Sequence, residues 1–260
     1  NFKKFDSKRF YNCGIAEAGM TGIASGLASC GYFPITYTIT PFNTLRCLEQ
    51  IRDDICYPNL PVIIVGTGSG LSYSNLGVTH HSLEDIALMR SLPNMNVICP
   101  ADPIEVKLAV SSALNLKKPT YIRLGKKGEP NIHKSIPAFK IGKSINIKHG
   151  NEIAIISVGN VLSLAKECSK ILEKKNISAS IESFHTVKPL DTECLKKIYS
   201  EFKYIAILEE HSKSGGAGSA ILEWGSINNY DTRKVILFGT EDTFYSALGN
   251  QAQAREKVGL

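Results

Sequence analysis

A chain of 260 residues, 43% hydrophobic and 21% charged, has the balance of an ordinary globular protein and enough length for one large or two average cores. Its formal charge of +6, from 30 Lys and Arg against 24 Asp and Glu, is spread over predicted helix faces such as residues 166–175, which excludes a basic nucleic-acid arm and leaves weak attraction for anionic ligands. No apolar run reaches the roughly 20 residues of a membrane-spanning helix, and the 7 scattered cysteines form no C-x-x-C pair, so neither a zinc site nor a disulfide framework is indicated and a reducing cytoplasm is expected.

In chain order, residues 20–30 are written in Gly, Ala and Ser and predict a close-packed helix, with Glu17 just ahead of it. Residues 34–39, 62–65, 97–99 and 120–124 are β-branched or aromatic runs of strand length. Between them, residues 45–55, 82–91 and 103–114 carry apolar side chains at i, i+3, i+4 spacing and predict helices, the last opened by Asp102 and Pro103. Residues 125–150 break the rhythm with Gly, Pro and Lys, and read as a crossing between domains with a short extended stretch at 141–143. A second alternating unit follows, with strands at 153–158, 178–182, 204–208 and 234–238 and helices at 161–175, 192–200 and 216–226. The Gly-rich residues 213–219 match no phosphate-loop spacing and read as a strand-to-helix turn. Alternation with nearly continuous apolar strands predicts an α/β protein of two three-layer domains with mainly parallel sheets, residues 1–140 and 141–260. Most cysteines fall in apolar runs and are expected to pack as small buried hydrophobes.

Two polar islands interrupt this pattern: Gly14-Ile-Ala-Glu17 and Gly77-Val-Thr-His-His-Ser-Leu-Glu84. A carboxylate beside a small-residue helix and a distant His pair suggest a site assembled on a sheet, while a buried helix-capping carboxylate is the equal alternative for Glu17. Further along stand Glu84-Asp-Ile-Ala-Leu-Met-Arg-Ser-Leu-Pro-Asn-Met95, Pro100-Ala-Asp102, Tyr121-Ile-Arg-Leu-Gly-Lys126, His185-Thr-Val-Lys-Pro-Leu-Asp191 and Glu209-Glu-His211. In order and spacing these segments resemble the C-terminal portion of transketolases, closest to the form split into two subunits, from about Phe10 to Leu260.

The resemblance implies a thiamine-diphosphate enzyme that moves a two-carbon ketol unit from a ketose to an aldehyde or sugar acceptor, built from a pyrimidine-binding domain and a transketolase C-terminal domain. Glu17 matches the glutamate that hydrogen-bonds N1′ of the cofactor's aminopyrimidine and so controls its tautomer. Phe42, in Thr40-Pro-Phe-Asn-Thr-Leu-Arg46, resembles the aromatic stacked on that ring, displaced by one residue relative to Arg46; core packing is its other reading. His80 matches the histidine facing the substrate near the reacting carbon, with Val78 in place of Pro, and His81 is a neighbour. Lys126 lies where many transketolases hold a substrate phosphate with Arg, keeping the charge without the bidentate fork; a solvated loop lysine is the alternative. Arg123 reads as a structural charge at the strand end.

Two departures from the family pattern bear on substrate. Gly68 replaces a phosphate-binding histidine and Asn75-Leu76 an acidic pair, so this wall of the site is expected to be more open and less polar, suiting a bulkier or unphosphorylated sugar, nucleotide-linked sugars included. The Gly-Asp-Gly motif that binds diphosphate and Mg²⁺ in the family occurs nowhere in the chain. The resemblance therefore implies an N-terminal partner subunit that carries the diphosphate and Mg²⁺ site, in an α₂β₂ assembly with interfacial active sites. It also implies further structure before the Gly-Ile-Ala-Glu segment and after Leu260. Rival readings are the β subunit of a 2-oxoacid dehydrogenase, a deoxyxylulose-phosphate-synthase-like enzyme, or an inactive scaffold subunit.

Overall fold

The computed structural model describes residues 2–246 and 249–260. Its strands are β1 (Ile35–Ile39), β2 (Ile63–Thr67), β3 (Asn96–Ile98), β4 (Thr120–Arg123), β5 (Ile145–Lys148), β6 (Ile153–Val158), β7 (Ala179–Ser183), β8 (Thr186–Lys188), β9 (Tyr204–Ser212) and β10 (Val235–Thr240). They form two five-stranded sheets, ordered β1-β2-β4-β3-β8 and β10-β9-β6-β7-β5. All neighbours are parallel except the edge strands β8 and β5. The central strands β2 and β6 are buried along most of their length, which explains their unbroken apolar text. Among the described residues no helix is long and apolar enough to cross a membrane.

The helices pack as the periodicity predicts, with local differences. Glu17 does not precede the small-residue helix but is its first residue; the helix spans Glu17–Ser29 and buries Glu17, Thr21, Ala24 and Ala28 along one stripe. The helix expected at 45–55 is broken into a 3₁₀ turn Leu45–Cys47, a turn of α-helix Leu48–Gln50 and a π-helix Ile51–Cys56. The wider π turn holds Ile51, Ile55 and Cys56 together in the core, within a narrower arc than a 3.6-residue turn would give them. The helix expected at 82–91 begins later, as Asp85–Ser91. Asp102 caps the Pro103–Leu116 helix by accepting the Glu105 N–H at 2.8 Å.

In the crossing, 141–143 is not extended: residues 141 and 142 form a turn at Gly142 (φ +80°), and the strand is β5, four residues on. Cys47, Cys56 and Cys99 are buried and the half-buried Cys194 packs against the same core, whereas Cys13 is half-buried elsewhere and Cys30 and Cys168 are exposed.

β8 has no counterpart in the sequence reading. It leaves the second unit and pairs antiparallel with β3 (Val97↔Lys188, Ile98↔Thr186), completing the first sheet. Arg90 of the Asp85–Ser91 helix binds Glu223 with both terminal nitrogens (2.9 and 2.6 Å) and donates Nε to the Gly215 carbonyl at 2.5 Å. Arg123, at the end of β4, is fully buried and donates Nε to Asp85 Oδ2 at 2.7 Å, and Nη2 to the carbonyls of Ser82 (3.0 Å) and Glu210 (2.9 Å). The Tyr121 hydroxyl donates to the same Asp85 oxygen at 2.6 Å. Burial pushes Asp85 up, but Arg123 and Tyr121 outweigh it and hold the carboxyl below its ordinary value. Arg123 is thus a structural charge that ties the end of the first sheet to β9.

Candidate active site

Glu17 heads its helix at 8% exposure, and Arg46, brought round by the Leu45–Cys47 turn, donates Nη1 to Glu17 Oε2 at 2.6 Å. Burial raises the Glu17 carboxyl; its own backbone N–H at the helix N-terminus and the Arg46 guanidinium reverse that and leave it below the usual glutamate value. Arg46 Cζ lies 4.6 Å from the centroid of the half-buried Phe42 ring. Phe42 meets His80 edge-on, centroids 5.4 Å apart at 71°. His80 Nδ1 is 2.9 Å from Thr79 Oγ1. Beyond it stands Tyr73, 6.3 Å away at 79°, and Lys126 Nζ lies over the Tyr73 ring at 5.3 Å. Glu17, Phe42, His80 and Lys126, dispersed over 110 positions, are brought into one row, with Arg46 and Tyr73 filling the gaps. His81 stays out of it: buried, it bonds through Nε2 to the Ser74 carbonyl at 3.1 Å and supports the loop.

The loop after β2 is shaped by two glycines. Gly68 has φ +72°, and a Cβ there would fall 1.9 Å from Tyr73 Cε2 and 2.3 Å from Cδ2. The wall expected to be more open is therefore occupied: the Tyr73 ring lies where a side chain at 68 would point. Leu76, at 49% exposure, faces outward on the same loop. At Gly70 (φ +62°), an added Cβ would meet Glu210 Oε1 at 2.5 Å.

Glu210, fully buried on β9, accepts the Leu71 N–H at 2.6 Å and Gln251 Nε2 at 2.9 Å on Oε1, and binds Arg255 through Oε2. Ser74 Oγ donates to the Gly249 carbonyl at 2.7 Å. The second domain, with its Gln251–Lys257 helix, thus holds the loop carrying Tyr73 and His80. Glu209 accepts the N–H groups of Ala217 and Gly218, each at 2.8 Å, at the start of the Ala217–Ile227 helix. That is why the preceding turn is Gly-rich: a Cβ at Gly216 would sit 2.3 Å from Glu209 Oε2.

Arg46, Tyr73 and Glu210 were missed as contributors to the site. Their only sequence signals were a charge after a short polar turn, an aromatic in a Ser/Gly loop, and a doubled acid at a strand end.

A cavity of about 320 Å³ opens beside Lys126 at the carboxyl ends of β2 and β4, lined by Thr67, Asp102, Lys127, Glu129 and Asn160 among others. Among the described residues, no three or more His, Cys, Asp or Glu side chains group so as to hold a metal ion.

The family model for the transketolase pyrimidine-binding domain matches residues 1–130, and that for the transketolase C-terminal domain matches residues 142–251. The chain belongs to the transketolase family. It is 35% identical over 256 residues to an apulose-4-phosphate transketolase subunit of Actinobacillus succinogenes, covering 97% of this chain and 81% of that protein. It is 32% identical over 253 residues to the 6-deoxy-6-sulfo-D-fructose transketolase subunit of a Clostridium species, covering 97% and 77%. A solved structure described as a split gene transketolase, inactive β4 tetramer, superposes with a TM-score of 0.90 at 36% identity, over 100% of this chain and 82% of the other. The family implies thiamine diphosphate as cofactor, and these relatives are named as transketolase subunits or as the product of a split gene.

Proposed function

We propose that the chain is the C-terminal subunit of a two-subunit transferase that moves a two-carbon ketol unit from a ketose to an aldehyde or sugar acceptor, in specialised sugar metabolism. Residues 1–140 form its pyrimidine-binding domain and residues 141–260 its C-terminal domain. The supporting observation is the row from Glu17 to Lys126, which sets a buried acidic carboxylate, an aromatic ring, an imidazole and an ammonium group side by side.

The residues fit the pyrimidine half of thiamine diphosphate. When bound, the cofactor supplies the carbon nucleophile that carries the ketol unit. Glu17, kept ionised and fixed in one orientation by Arg46, is the residue that would accept a hydrogen bond from a nitrogen of the aminopyrimidine. The half-buried Phe42 would supply an aromatic face for that ring. With Nδ1 engaged by Thr79, His80 gives or takes a proton through Nε2 at the substrate oxygen. Lys126 attracts an anionic group farther along the substrate.

The diphosphate and Mg²⁺ belong to the N-terminal partner, since this chain has neither the Gly-Asp-Gly motif nor a carboxylate cluster among the described residues. The assembly is α₂β₂, with its active sites at the subunit interface. That relatives are named for apulose 4-phosphate and 6-deoxy-6-sulfo-fructose supports a substrate outside the common sugar phosphates.

The test is reconstitution with the partner subunit. Glu17→Gln keeps the shape but weakens tautomer control, and is expected to lower turnover about 10²-fold or more while cofactor affinity changes far less. Near-normal turnover removes Glu17 from the mechanism. Calorimetry that finds tight, Mg²⁺-dependent thiamine-diphosphate binding to this chain alone overturns the two-subunit reading.

A further inference from the structure

We infer that Tyr73 sets acceptor selectivity: its ring stands in for the side chain that Gly68 lacks and makes an aromatic wall between His80 and Lys126, receiving the acceptor by a carbon face where a second anion-binding side chain would otherwise stand. The inference rests on the proposed ketol transfer and deepens it.

Positions 68 and 73 are mutually exclusive. A Cβ at 68 would lie 1.9 Å from Tyr73 Cε2, far inside van der Waals contact, and the left-handed backbone at Gly68 (φ +72°) resists any side chain there. Only glycine at 68 admits the ring.

Nor can the ring easily swing away, because the chain is tied on both sides of it. Leu71 N is held by Glu210 at 2.6 Å, Ser72 Oγ by Gln251 at 3.2 Å, and Ser74 Oγ by the Gly249 carbonyl at 2.7 Å. One tie comes from β9, one from the first residue of the C-terminal helix and one from Gly249 just ahead of that helix, so the second domain pre-organises the wall.

Its place gives the wall its consequence. Tyr73 stands between the imidazole proposed to work at the reacting carbon and Lys126. An acceptor reaching from His80 toward that ammonium passes the ring, which remains half-exposed for contact. The face of the ring gains by covering C–H groups and brings no positive charge to a phosphate, unlike a cationic side chain. The acceptor class it fits is an aldehyde with a deoxygenated or branched chain, any anionic group lying at the Lys126 end.

The packing is tested by melting the purified chain. Gly68→Ala is expected to lower Tm by about 5 °C or more, and by clearly less when introduced into Tyr73→Ala. Equal drops in both backgrounds overturn the inference.

Selectivity is tested in the assembled two-subunit enzyme with hydroxypyruvate as donor. Its C1–C2 bond breaks to release CO₂, and the remaining two-carbon unit bonds to the acceptor's aldehyde carbon, whose oxygen takes a proton. The acceptors are butanal and ribose 5-phosphate. Tyr73→Ala is expected to shift the ratio of their kcat/KM values about tenfold or more toward the phosphate, Gly68→His/Tyr73→Ala further still, and Tyr73→Phe to keep the wild-type ratio. Should Tyr73→Ala fail to fold, Tyr73→Leu decides by the same ratio, with a smaller shift in the same direction. An active wild type whose ratio these variants leave unmoved overturns the inference alone. A wild type inactive on both acceptors overturns the ketol-transfer reading and the inference with it.

Discussion

Replacing Glu210 by Gln removes a negative charge from the joint between the C-terminal domain and the loop that carries Tyr73 and His80. The carboxylate is fully buried and receives Leu71 N–H, two contacts from Gln251 Nε2 (2.9 and 3.2 Å) and the Arg255 guanidinium. An amide of the same shape has one acceptor oxygen. Turned to Leu71, it presents an NH₂ to Arg255, whose side chain is only 13% exposed, and breaking such a pair costs about 3–5 kcal/mol. Turned to Arg255, it leaves the buried Leu71 N–H without an acceptor, about 1–3 kcal/mol, and still removes the counter-charge. Because these losses share one side chain they do not add, and roughly 3 kcal/mol is expected. At about 2–4 °C per kcal/mol this is a fall in Tm of roughly 6–12 °C, read by circular dichroism on the purified chain. Arg255→Gln in the same background should cost much less than Arg255→Gln alone. In the assembled enzyme the loosened loop should raise KM for the acceptor. A Tm within about 2 °C of wild type, or strict additivity with Arg255→Gln, refutes the buttress.

Arg123→Met strands Asp85 as a buried charge and is expected to cost about 3–5 kcal/mol, measured by urea unfolding, whereas Arg233→Met, which breaks a solvent-exposed pair with Asp231, should leave the unfolding midpoint nearly unchanged. Equal costs would show that burial does not set the strength of these pairs. The linker carries a pH response: the hydrogen bond from His133 Nε2 to Glu105 (2.8 Å) raises the imidazole pKa against the opposing effect of burial. With the folded value above the unfolded one, His133 contributes its full stabilisation below the ordinary histidine value of about 6.5, and this is lost as pH rises through the raised folded value. The stability difference between wild type and His133→Gln should therefore shrink from pH 6 to pH 9; a difference that grows with pH contradicts the assignment.

Local chemistry was legible in the sequence because its signals are local. Period-2 and period-3.6 apolar patterns located most of the strands and helices, since burial of one face acts on residues a few positions apart. The polar islands at Glu17 and His80 stood out because a charge or imidazole in an apolar α/β text needs a partner or a task. Where local rules compete, the sequence was less decisive. At 45–56 the core demand of Ile51, Ile55 and Cys56 overrode the regular helix, and at 141–143 the turn at Gly142 displaced the strand. What the sequence could not carry is the pairing of distant side chains. Arg46 reaches Glu17 across 29 positions and Glu210 reaches Leu71 across 139, and neither contact has a periodicity to read. β8 crosses to the first sheet because an open edge beside β3 offers unpaired backbone groups, a fact of topology rather than of its three residues. The same holds for Gly68: in the sequence it reads as a missing side chain, and only the folded loop shows that the Tyr73 ring, five residues away, occupies the space.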